Sequence, residues 1–158
     1  MRAVDRPMTE ASSGLLEYQA IWAQWTALWN GDLALNDTLI SPDFIAHAAP
    51  ISGSADGLVR GRAGLAGWIA GIRAAMPNLV FATEVGPLAD DSYLCGRWIA
   101  RGTYRGGMPG TPDLAIGKSV EFTGTDIFRV DGTQIAEYWT NADMLQLLQQ
   151  LGALPGAG

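Results

Sequence analysis

At Pro77 the spacing of apolar residues changes from a helical to an extended period, and that change sets the order in which the chain can build its layers. Upstream, apolar residues recur at Leu15, Tyr18, Trp22, Trp25 and Trp29, and again at Leu65, Trp68, Ile69, Ile72 and Met76. That is the spacing of one face of a helix. Downstream, the segments Asn78 to Val85, Tyr93 to Tyr104, Lys118 to Val130 and Gln134 to Thr140 alternate at period two, as half-buried strands do. Helices followed by a run of strands is an α+β order rather than a βαβ alternation. The expected architecture is a cone-shaped, curved antiparallel sheet of about four or more strands wrapped on the N-terminal helices, with an internal apolar pocket.

Breakers and caps place the boundaries. The first helix is expected over Leu15 to Asn30, with Ser13 as N-cap and Gly31 as stop. Asp32 to Ile40 reads as a short second helix ended by Ser41-Pro42. DFIAHAAP, ending in Pro50, reads as a brief extended segment, and residues 51–60 as a Gly/Ser/Asp loop. Gly61 to Met76 forms the third helix, whose Gly64, Gly67 and Gly71 suggest close approach to another backbone, in the core or across a subunit contact, because glycine otherwise weakens a helix. Ala89 to Ser92 supplies a turn, Asp131-Gly132 a hairpin, and residues 105–117 a long Gly/Pro loop of the kind used as a lid or left disordered. Thr140 or Asn141 is expected to cap a closing helix with Asp143 at its positive end and Gly152 as its stop. The chain divides into a leader (1–13), one domain (14–152) and a tail (153–158).

With 158 residues, 48% of them hydrophobic and 16% charged, the chain suits one domain with a lightly charged surface. A net charge of −6 without a basic run argues against nucleic acid or anionic membrane as ligand. No apolar stretch approaches the roughly 20 residues that span a bilayer, and no signal sequence is read. Some of the apolar surface is expected to be covered by a partner, most simply a second copy of the chain. One cysteine and one histidine leave too few soft ligands for a usual zinc site, and Cys95 reads as a small strand residue. The available chemistry is acid–base chemistry, with no metal site expected.

In the strand Lys118 to Val130, one file holds Val120, Phe122, Gly124, Asp126, Phe128 and Val130, so a carboxyl sits among apolar side chains. Such a group either serves structure, bonded to backbone N–H groups or to an arginine such as Arg97 or Arg101, or it serves function; unless it finds such bonds, burial shifts its pKa upward. On the preceding strand the uncharged file Leu94, Gly96, Trp98, Ala100, Gly102, Tyr104 should face inward, bringing Trp98 and Tyr104 to the same side as Asp126. On the last strand Ile135, Glu137 and Trp139 share a face, so an inward Trp139 brings Glu137 with it. Trp22, Trp25 and Trp29 are either core or pocket wall. His47 is either a surface or core imidazole or a site residue.

These residues resemble the SnoaL-like polyketide cyclases of the nuclear transport factor two-like superfamily. The resemblance lies in GTY at 102–104, the Gly/Pro loop, the block GKSVEFTGTDIFRVDGTQIAEYWTNADMLQLLQQLG at 117–152, SPDFIAHAAP at 41–50, RG at 60–61 and MPN at 76–78. It implies a cofactor-independent enzyme of secondary metabolism that closes a ring in a small apolar polyketide-like substrate, often by intramolecular aldol chemistry, as a cytoplasmic homodimer or tetramer. It also implies Asp126 as acid–base residue, His47 as a site residue and Trp139 as the tryptophan before the last helix. Tyr104 stands where the family often has histidine, and Asn78 where it commonly has aspartate.

On that basis Asp126, His47 and Tyr104 are the candidate catalytic residues. Trp98, Trp139, Trp25, Trp29, Phe128 and Glu137 are the candidate substrate-binding ones. Two rival readings use the same pocket: epoxide opening or hydrolysis, with Glu137 and Arg101 assisting Asp126, or a pericyclic closure that needs only shape. A third is non-catalytic binding of a small apolar molecule.

Overall fold

The computed structural model describes residues 8–47 and 56–154. Helix α1 (Met8–Trp29) leads through a 3-10 turn (Leu33–Leu35) and the single-turn α2 (Asn36–Leu39) into β1 (Ile40–His47). Then come β2 (Leu58–Arg60), α3 (Gly61–Ala75), β3 (Val80–Asp90), β4 (Tyr93–Thr103), β5 (Ser119–Asp131), β6 (Gln134–Ala142) and α4 (Met144–Leu151). Among the described residues the six strands form one curved, unclosed sheet in the order β2-β1-β6-β5-β4-β3. Two short turns and the long loop between β4 and β5 make β3 to β6 an antiparallel meander, whereas β1, which comes from far away in the chain, lies parallel to β6. The sheet is therefore mixed.

Side-chain size on the inner face decides where α1 sits. Trp22 and Trp25 pack on Phe128 of β5 with ring centroids 5.4 and 4.7 Å away. A Cβ at Gly96 would overlap the Trp22 ring, and one at Gly124 would overlap Trp98. Burying an aromatic ring of this size gains about 4–6 kcal/mol at most, which exceeds the roughly 1 kcal/mol that a glycine costs inside a strand. The two glycines thus act as sockets for indoles. Register shifts in β3 and near Ala136 of β6 add local bend, as bulges do.

Several boundaries differ from expectation. Helix α1 begins at Met8, upstream of Ser13, so Ser13 does not cap it. The expected second helix shrinks to the 3-10 turn and α2, and Ser41-Pro42 lies inside β1. Proline is accommodated there because the β1–β6 register is irregular between Ile40 and Ile45, where no ladder bond requires its missing N–H. Part of the expected 51–60 loop is β2, while β3 continues through Ala89 to Asp90. Asp143, not Thr140 or Asn141, caps α4 by accepting from the Gln146 N–H at 2.9 Å. Pro50, residues 51–55 and most of the leader and tail lie outside the described residues.

Two hydrophobic clusters fill the interior. One gathers α1 and α3 on β1, β5 and β6 around Phe44, Phe128 and Tyr138. The other gathers the end of α3, the lid base and α4 on β4 and β5 around Leu79, Trp98 and Tyr104.

Candidate active site

Asp126 lies in the inner file of β5, paired with Gly96 on β4 and Thr140 on β6, and is 2% exposed. The Trp25 indole N–H donates to its Oδ2 at 3.0 Å. The hydroxyls of Tyr138 and Thr140 donate to its Oδ1 at 2.9 and 2.8 Å. Burial pushes the Asp126 carboxyl above its ordinary range, and the donors on Trp98, Trp25, Thr140 and Tyr138 counter that only in part. Of these four, Trp98 acts from outside strict hydrogen-bond geometry. Burial, reinforced by the Asp126 charge, likewise pushes the Tyr138 phenol well above its usual value, so Tyr138 is held as a donor.

The carboxyl opens on a cavity of about 320 Å³ that lies between the two core clusters. Trp22, Trp25 and Trp29 of α1, Trp68 of α3 and Trp98 of β4 wall it with indoles, and Phe81 and Phe122 add two more rings. Gly107, Met108 and Pro109 of the long loop reach over it, so that loop sits where a lid would. Among the described residues no Lys, Arg or His lines the cavity, and Asp126 is its one carboxyl group. Among the described residues no group of three or more His, Cys, Asp or Glu side chains is arranged to hold a metal ion. The arrangement can hold a neutral, flat molecule and move one proton at its inner end.

Of the expected site residues, the structure brings together Asp126, Trp25, Trp29 and Trp98 on the cavity wall. Phe128 is completely buried beneath them, packed between Trp25 and Tyr138, and does not reach the cavity. Tyr104 is also off the wall: it lies under the loop, lining a separate recess, and its hydroxyl accepts from the Met108 N–H at 3.0 Å. It holds the lid rather than facing the cavity.

His47, Glu137 and Trp139 lie on the opposite face of the sheet. Trp139 pairs with the exposed Ile127 and stacks on His47 at 5.1 Å, with the two rings 3° from coplanar. Glu137 accepts from His47 Nε2 at 2.9 Å and from Arg129 at 3.1 Å, and these partners hold its carboxyl below the usual range. The physical reason is the register shift between Arg129 and Val130, where Ala136 is the extra residue on β6. One added residue reverses which side chains face inward. Ile135 and Tyr138 therefore share the inner face, and Thr140 joins them while Glu137 and Trp139 turn outward.

The same shift hid Tyr138 and Thr140, the two hydroxyls on the carboxyl, from a strict period-two reading. Trp22 and Trp68 were visible as members of apolar helix stripes, but nothing in the spacing distinguishes wall from core.

Compared with known families, residues 19–151 match the sequence model of the SnoaL-like polyketide cyclases. Among solved structures, the chain resembles IdmH from Streptomyces antibioticus, assigned as a polyketide cyclase, with a TM-score of 0.74 and 29% identity, covering 85% of this chain and 97% of that one. AclR from Streptomyces galilaeus, assigned as a hydroxylase, gives a TM-score of 0.73 and 25% identity, covering 89% and 84%. A protein from Acidithiobacillus ferrooxidans assigned as a polyketide cyclase gives 0.72 and 25%, covering 86% and 94%. No curated protein matches the sequence.

Proposed function

The chain belongs to the SnoaL-like polyketide cyclase family, and from that premise we propose that it closes a ring in a neutral polyketide-derived intermediate by intramolecular aldol chemistry with Asp126 as the acid–base group. In this reading the Asp126 carboxylate takes the proton from a carbon between two carbonyls. The resulting enolate carbon bonds to a second carbonyl carbon of the same molecule, and the alkoxide so formed takes the proton back from Asp126. No net proton is consumed. The aromatic walls fold the substrate so that the two carbons meet.

The observation that carries this is a buried carboxyl with three donors at the inner end of an otherwise apolar cavity. Burial strengthens the carboxylate as a base. The donors on Trp25, Tyr138 and Thr140 stabilise its charge and fix its direction. A positioned base supplies roughly 100- to 10,000-fold, and enforced proximity about 7–11 kcal/mol, so cavity shape carries at least as much of the rate as the proton transfer.

The fold hosts more than one chemistry, as IdmH and AclR illustrate, so the reading rests on the site. Epoxide opening by paired carboxylates is less well supported, because Glu137 and Arg101 lie on the outer face, the latter paired with Glu121 at 2.6 Å.

The test is deuterium exchange from D2O into the carbon between the carbonyls of a neutral aryl β-diketone, which needs only the proton-transfer half of the reaction. The protein should accelerate exchange, and Asp126→Asn should lower that acceleration at least tenfold while affinity, read by tryptophan quenching, is kept. Equal exchange in the two proteins would remove the proposal and leave a binding protein.

A further inference from the structure

The long loop between β4 and β5 is firmly held at its stem and hardly at all along its first half. The Tyr104 N–H donates to the Lys118 carbonyl at 2.9 Å, the Gly117 N–H to the Tyr104 carbonyl at 2.8 Å, and the Arg105 N–H to the Ala75 carbonyl at the end of α3 at 2.8 Å. Ala115 is completely buried and anchors the second half. Among the described residues, the only hydrogen bond from residues 106–111 to the rest of the chain runs from the Met108 N–H to the Tyr104 hydroxyl, at 3.0 Å.

Met108 also opens a tight turn. The Thr111 N–H donates back to the Met108 carbonyl at 3.3 Å, and Pro109 and Gly110, the latter at φ 75°, are the residues that a type II turn favours at its two central positions. A preformed turn shifts as one piece. Gly106 and Gly107 join it to the stem at φ 108° and 95°, which glycine alone adopts without strain. A Cβ at Gly107 would meet nothing within 4 Å, so backbone conformation rather than packing requires glycine there.

The position of this turn gives the single hydrogen bond its importance. Gly107, Met108 and Pro109 line two spaces at once, the cavity beside Asp126 and the recess of about 500 Å³ under the loop. They form the partition between them. Gly107 and Pro109 are exposed, and Met108 is half-buried against the cluster that contains Trp98 and Tyr104. Tyr104 lines the recess and is itself 2% exposed, so packing on all sides fixes its ring. One fixed oxygen thus holds a partition that is otherwise tied only through its neighbours in the chain.

We propose that Tyr104 is a positioning residue acting through Met108: its hydroxyl holds the 108–111 turn as a gate between cavity and recess, and release of that one hydrogen bond admits or frees a ligand. The inference needs only the cavity and its partition, whatever reaction Asp126 performs. A net intramolecular hydrogen bond shifts an equilibrium by roughly twofold to tenfold. Because a ligand passes the same gate in both directions, the bond slows association and dissociation by that one factor and leaves Kd unchanged.

Stopped-flow quenching of tryptophan fluorescence by benzoylacetone, a neutral aryl β-diketone, reads both rates, since Trp22, Trp25, Trp29, Trp68 and Trp98 line the cavity. Tyr104→Phe keeps the ring, removes the oxygen and leaves the Met108 N–H unpaired unless the turn lifts into water. It should raise both rates about fivefold and keep Kd within about twofold. Gly107→Ala strains the held conformation from the other side of Met108 and should move both rates in the same direction. A second measurement needs no ligand. In a Trp139→Phe background every remaining tryptophan of the six lines the cavity, and their collisional quenching by acrylamide should rise when Tyr104→Phe is added.

Rates and acrylamide quenching that match the wild type would overturn the proposal, and a lowered Tm beside unchanged rates would reduce the Tyr104 hydroxyl to a structural role. Faster dissociation alone, with Kd weakened in proportion, would also overturn it by making Tyr104 part of the bound ligand's packing. Should benzoylacetone not bind, acrylamide decides alone. Deuterium exchange indifferent to Asp126 would remove the cyclase reading and leave the gate standing.

Discussion

Asp126 is the residue on which burial and hydrogen bonding oppose each other, and its pH behaviour should report the balance. Its folded-state pKa lies above the unfolded value because burial outweighs the donors on Trp98, Trp25, Thr140 and Tyr138. A group shifted upward contributes stability below its unfolded pKa, and that contribution is lost as pH rises through the folded pKa. Near neutral pH the native protein therefore bears the cost of a buried charge. Asparagine bears no such cost but leaves one donor short of an acceptor, a loss that does not change with pH, so the trend with pH isolates the carboxyl's titration. The Tm difference between Asp126→Asn and wild type should move in favour of the variant as pH rises from about 4 to about 8. A flat difference across that range would mean that the carboxyl titrates as an ordinary one. The acid limb of deuterium exchange should likewise fall above the ordinary aspartate value of about 3.9. At this scale the sequence was informative: a carboxyl in an apolar file was visible without coordinates. Its partners Tyr138 and Thr140 were not, because a single extra residue at Ala136 reverses the file on β6.

Among the elements, β4 and β5 do more than supply a wall. Gly96 and Gly124 are the places where the sheet yields volume to Trp22 and Trp98, and those two indoles line the cavity. A methyl group at Gly124 has no space to enter unless Trp98 moves. Gly124→Ala should lower stability by roughly 1–3 kcal/mol, the usual cost of overpacking, seen as a lower urea midpoint, and should alter the quenching of Trp98 by bound ligand. An unchanged midpoint would show that the indole has somewhere else to go. The helical and strand periods were legible, since α3, β4 and β5 fall where the spacing put them and α1 departs only in its earlier start at Met8. β1 was less so, because a Ser-Pro pair reads locally as a helix stop and becomes a strand only through pairing with β6.

For the whole molecule, the cavity at the seam of the two clusters makes ligand binding a cohesive event. Trp25 and Trp29 belong to one cluster and Trp98 and Phe122 to the other, and an occupant touches both. A ligand that binds only the folded protein stabilises it by about 2.7 kcal/mol at one hundred times its Kd, which for a chain of this size raises Tm by about 5–10 °C. Calorimetry with the aryl β-diketone should show that rise; a probe that quenches tryptophan without moving Tm would be bound outside the cavity. The sequence by itself determined the α+β order, the inward carboxyl and a supply of indoles, because periodicity is a local property that survives in one dimension. Which hydroxyls meet the carboxyl, that His47, Glu137 and Trp139 assemble on the far face, and that a cavity opens at the seam of the two clusters were decided only by the tertiary structure. Bulges, parallel pairing and unfilled space are relations between segments distant in the chain, and no spacing within one segment encodes them.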